Sequence, residues 1–119
     1  MKWTFTLPMT TPSLNEIQGY HWAYCKRQKE GLGWILASAL NKVPAIPRAS
    51  GKRTVTISRH GKGRLDRDNL VGGCKWLVDA LKERGLIVDD CDASLHLVVE
   101  QVVSRKTEPY TVVTIEEDI

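Results

Sequence analysis

The chain has 119 residues, 42% hydrophobic and 26% charged, and a formal net charge of +3. That length suits one domain burying roughly two-thirds of its unfolded surface, and the composition argues against wholesale disorder. Cys25, Cys74 and Cys91 are odd in number and lack C-x-x-C spacing, which argues against a disulfide framework or a zinc site and fits a reducing, cytoplasmic setting. No run approaches the roughly 20 apolar residues of a membrane span, and the N-terminus lacks a signal peptide's apolar core, so no membrane contact is expected.

Lys2 to Leu7 alternates, with Trp3, Phe5 and Leu7 on one side, as a half-buried strand does. A turn-rich loop from Pro8 to Asn15 leads into a helix expected over about Glu16 to Asn41, where Leu32, Ile35, Leu36, Ala39 and Leu40 form an apolar stripe. Trp22 and Trp34 on this helix are read as core, and Cys25 and Cys74 as core thiols. Residues 42–51, with Pro44, Pro47 and Gly51, form a loop. Lys52 to Arg59 alternates around Val55 and Ile57 as a second strand, and a Gly- and base-rich loop follows from His60 to Arg64. Gly61-x-Gly63 is too short to serve as a phosphate-binding fingerprint.

The next helix is expected over about Asn69 to Arg84, with Leu70, Cys74, Leu77 and Leu81 on its buried side and Gly85 as its stop. Leu86 to Val88 reads as a short extended piece. Leu95 to Val103 and Tyr110 to Ile115 read as two strands, an antiparallel pair around a polar loop at Lys106 to Pro109. The order β-α-β-α-β-β predicts one α/β domain, residues 1–119, with two helices packed on a mixed sheet.

The chemistry concentrates in two acidic groups, Asp66-Arg67-Asp68-Asn69 and Asp89-Asp90, on either side of the second helix. Aspartates at i and i+2 of an extended segment point to one side. A second pair returned by a helix and turn can converge there, and three or four carboxylate oxygens are the ligands Mg²⁺ takes while keeping positions for water and phosphate. Only one of Asp89 and Asp90 can face Asp66 and Asp68 directly. Upstream, Arg48, Lys52, Arg53, Arg59, Lys62, Arg64 and Arg67 form a basic stretch without an acid until Asp66, which suits a polyanion whose scissile phosphate sits on a metal. Competing bland readings are specific too. Asp68 and Asn69 are good helix caps, Asp79 is spaced to pair with Lys75, and the basic stretch could be a solvated loop.

Asp66-x-Asp68-Asn69-Leu70, a lysine on the following helix, Asp79-Ala80-Leu81, Gly85 and Asp89-Asp90 together resemble the RusA family of Holliday-junction resolvases, found in bacteria and their prophages. Pro12-Ser13-Leu14-Asn15 after an N-terminal strand, then His21-Trp22, is similar to the start of many such chains. The resemblance implies a homodimeric, Mg²⁺-dependent endonuclease that cuts four-way DNA junctions on opposing strands, in DNA recombination and repair. Mn²⁺ is a possible substitute, and no organic cofactor is implied. It assigns metal binding to Asp66, Asp68 and Asp90, with Asp89 adjacent, and a catalytic role to these aspartates and Lys75. Arg59, Lys62, Arg64, Arg67, Asn69 and Asn15 are the expected DNA contacts. The sequence departs from the family in one place. The family's lysine stands four residues after the second aspartate, where this chain has Gly72; Lys75 comes three residues later, implying an insertion within Val71 to Gly73. Either the helix runs through, or it begins only after Gly73 with Lys75 in its first turn. Two alternatives remain: a non-catalytic DNA-binding module of the same fold, and a nuclease preferring flaps or forks.

Overall fold

A computed structural model of the chain describes residues 1–19, 21–105 and 108–117. Four strands, β1 (Lys2–Leu7), β2 (Arg53–Gly61), β3 (Leu95–Val103) and β4 (Tyr110–Glu116), form one mixed sheet in the order β1-β4-β2-β3. The helical segments are α1 (Leu14–Gly19), α2 (Trp22–Leu40), α3 (Arg67–Gly72) and α4 (Lys75–Glu83). Alternation sets which side of each strand is buried. Phe5 and Leu7, Val55 and Ile57, Leu95 and Val99, and Val113 and Ile115 form a continuous apolar layer. Leu32 and Leu36 of α2, Leu70 of α3 and Leu77 and Leu81 of α4 cover it. On the opposite side of the sheet Thr4, Thr6, Val98 and Val102 are exposed, and His60 stacks on Tyr110 at 4.3 Å between ring centroids.

The expected fold class holds: one α/β domain, mixed sheet, helices packed on it. Several details differ. β3 and β4 are not an antiparallel pair. β3 lies parallel to β2, reached by the α3–α4 crossover, and β4 inserts antiparallel between β2 and β1. Residues 86–88 form no strand; Leu86 and Ile87 are core side chains. Part of the loop expected at residues 106–109 lies outside the described residues.

Both expected helices are divided. His21 starts α2 as its N-cap, with Nδ1 accepting from the Ala23 N–H. α3 ends at Gly72 and α4 starts at Lys75, so the helix breaks at Gly73 and Cys74, and Lys75 stands in the first turn after the break. Gly73 has an ordinary helical φ of −68°, but a Cβ there would overlap the Pro12 carbonyl oxygen. A Cβ on Gly72 would stand 2.8 Å from the Leu14 side chain. The glycines are there to let the loop after β1 approach. Gly85 differs: its φ of 74° is the left-handed stop that glycine adopts without strain.

Trp22 and Trp34 are not core residues. They are 73% and 78% exposed. Trp34 follows Leu32 by two positions, about 200° around the helix, and so points away from the sheet. Trp22 is the first residue of α2, ahead of its buried residues Leu32, Leu36 and Ala39. Cys74 is fully buried, and that burial pushes its thiol pKa up to about 11; Cys25 is half-buried and Cys91 exposed.

Candidate functional site

The Pro12–Asn15 loop and the Asp66–Leu70 stretch meet through one asparagine. Asp66 caps α3: its Oδ1 accepts the Asn69 backbone N–H at 3.0 Å, and its Oδ2 accepts from Asn69 Nδ2 at 2.9 Å. Asn69 Oδ1 accepts the Asn15 backbone N–H at 2.9 Å. The Pro12–Asn15 loop is thereby fastened to the start of α3, with the Gly72-Gly73 gap taking its bulk. The bonds from Asn69, backbone first and then side chain, hold the Asp66 carboxyl below its usual pKa of 3.8. The capping role weighed for Asp68 and Asn69 falls to Asp66. Asp68 occupies the first turn of α3 and is exposed.

The second acidic group follows α4. Leu65 exchanges hydrogen bonds with the Gln101 side chain, and Arg67 Nη1 donates to the Val99 carbonyl at 3.1 Å, so α3 begins over the C-terminal half of β3. Asp90 and Asp92 instead border a shallow depression with Val71, Lys75, Asp79 and His96, at the N-terminal end of β3. Val71, three residues after Asp68 on α3, lines the same depression. Mg²⁺ holds its oxygens at about 2.0–2.1 Å, so one ion requires its ligands within about 4 Å of each other.

The carboxylates are hard oxygen donors of the right chemistry for Mg²⁺, but their placement does not make a preformed cage. Among the described residues no three His, Cys, Asp or Glu side chains are grouped to hold a metal ion. Asp89 is engaged by Lys82, Nζ to Oδ1 2.9 Å, and this bond more than any other draws its carboxyl down to about pKa 2. Lys75 pairs with Asp79, Nζ to Oδ2 3.8 Å, as their spacing allows. Lys75, in the first turn of α4, lines the same depression as Asp90.

The basic residues also divide. Arg53 is 1% exposed, donates Nη1 to the Leu86 carbonyl at 2.9 Å, sits 3.4 Å from Glu117 and lies over the Trp3 ring; it is part of the core. Arg59 donates Nε to the Thr11 carbonyl and Nη1 to the Gly63 carbonyl, both at 3.1 Å. Arg67 ties α3 to β3. Lys62 and Arg64 are exposed in the loop that leads into Asp66. Those two bases, Asp66 and Asp68 share one end of the molecule. Sequence reasoning missed Gln101, which fixes the entry to the acidic motif from a strand 36 residues away, and Thr11, whose carbonyl orients Arg59. Neither has a local signal, since both act through long-range backbone contacts. No family model and no curated protein matches the chain.

Proposed function

We propose that the protein is a structure-selective DNA endonuclease of the RusA type, acting on four-way junctions as a homodimer with Mg²⁺. The observation that supports this best is the Asn15–Asn69–Asp66 hydrogen-bonded link, which joins both RusA-like stretches beside Lys62 and Arg64. Lys62 and Arg64 would hold flanking phosphates, while Asp66 fixes the angle at which the Asp68 carboxylate leaves α3. When bound, Mg²⁺ supplies Lewis acidity toward a phosphodiester. Twofold symmetry of a junction and the size of one 119-residue chain favour a symmetric pair of copies.

Labelled junction, flap and duplex, each incubated with Mg²⁺, Mn²⁺ or EDTA, test the proposal. Expected are paired nicks in the junction with either metal and none in EDTA, from complexes holding two chains by light scattering. Asp68→Asn should abolish cleavage and keep junction binding. The two-group placement of the acids and the Lys75–Asp79 pair favour a second reading, a junction-binding module without turnover. Tight junction binding with no nick in either metal would establish that reading instead, and faster cutting of the flap would move the substrate.

A further inference from the structure

A cavity of about 250 Å³ opens beside the loop after β1, walled by Pro12, Glu16, Tyr24, Gln28, Arg59 and Trp76 among others. We propose that it receives a single unstacked nucleobase of the bound DNA, favouring bases that carry an exocyclic amine over thymine. This rests on the nuclease reading, since that is what brings DNA to this end of the molecule.

The walls come from every layer of the fold: Pro12 from the loop after β1, Glu16 from α1, Tyr24 and Gln28 from α2, Arg59 from β2 and Trp76 from α4. The space is below the roughly 300–1,000 Å³ of pockets that take drug-sized ligands, which suits one planar ring system and not a whole nucleotide. Its chemistry is that of base recognition in single strands: aromatic rings and a guanidinium plane, with polar groups able to read an edge. Two backbone carbonyls fix the guanidinium of Arg59, so this wall is set before a ligand arrives. The Glu16 carboxylate only accepts, and so pairs with an amine such as cytosine N4 and opposes the O4 of thymine. The cavity is also contiguous with the candidate site. Arg59 reaches the Gly63 carbonyl in the Lys62–Arg64 loop, and Glu16 follows Asn15, which bonds Asn69. A strand whose phosphates meet Lys62 and Arg64 can turn a neighbouring base inward at this point, and a junction supplies bases that unstack at low cost.

The test is NMR titration of the full chain with dCMP, TMP and base-free deoxyribose 5-phosphate, alongside junction binding and cleavage assays. The expected result is that dCMP shifts the Trp76 indole N–H and the Gln28 side-chain amide, binds about fivefold or more tighter than TMP, and that the sugar phosphate leaves both signals in place. Glu16→Gln should bring dCMP and TMP to parity while a backbone spectrum otherwise unchanged reports an intact fold. If nucleotides move only signals around Lys62 and Arg64, or none, in a protein that still binds junctions, the base pocket is overturned and the nuclease reading stands. If dCMP enters the cavity but no junction is bound, the pocket holds and the nuclease reading fails.

Discussion

Asp66 performs two tasks that chemistry can separate. As a helix cap it needs an acceptor oxygen, which asparagine also offers; as a metal ligand it needs a charge, which asparagine lacks. Asp66→Asn should therefore keep most of the melting temperature and lose cleavage, whereas Asp66→Ala should lower the melting temperature and lose cleavage as well. Wild-type cutting by Asp66→Asn would leave the residue a cap alone. The Lys82–Asp89 pair predicts a pH dependence. Asp89 is depressed in the folded state to about 2 from 3.8, so the pair's stabilisation is fully present above about pH 3.8 and is lost as pH falls toward 2. The pKa of Lys82 is raised above 10.5, chiefly by its hydrogen bond to Asp89, so its own contribution is present below that pH and is lost as pH rises through the raised value. Thermal melts of wild type and Lys82→Ala should converge between pH 4 and pH 2; parallel curves throughout would show that the pair contributes nothing.

At the scale of elements, the broken α3–α4 helix is the main departure from a simple crossover. Gly73 has helical dihedrals, so alanine there meets no backbone strain, but its Cβ would run into the Pro12 and Asn69 carbonyls. Gly73→Ala should destabilise by about 1–3 kcal/mol, as overpacking does, while Gly63→Ala, with open space around it, should be near neutral in chemical denaturation. The break also shows what was legible. Buried faces were: Phe5 and Leu7, Val55 and Ile57, and Leu70, Cys74, Leu77 and Leu81 all lie where their periodicity places them. Strand partners were not. A six-residue gap between β3 and β4 reads as a hairpin, because consecutive strands are usually neighbours, yet β3 stands at the sheet edge paired to β2 alone. Trp34 was legible and misread, since its 200° offset from Leu32 follows from counting. In the site, the Asp66–Asn69 cap could be read from residue type. That no three of the acids are grouped for a metal among the described residues could not, because it depends on how the crossover sits on the sheet.

For the molecule as a whole, the charge that matters is the part not already bonded. Arg53, Arg59 and Arg67 donate to backbone carbonyls of the fold, while Lys62 and Arg64 are exposed in the loop that leads into Asp66. Neutralising both should reduce the slope of log binding constant against log salt by roughly two units for duplex arms, and weaken all sequences alike. An unchanged slope in a filter-binding or anisotropy series would return that loop to plain solvent exposure. The strand order has a consequence of another kind, for how the chain reaches its structure. β4 is the last strand to be synthesised and it lies inside the sheet, pairing with β1 across a separation of some 110 residues. Until residues 110–116 leave the ribosome, β1 has no neighbour and β2 is paired on one side only. Closure of the sheet must therefore wait for β4 and is slowed by its long-range pairing. A nascent chain stalled at residue 105 should remain protease-sensitive however well its helices form.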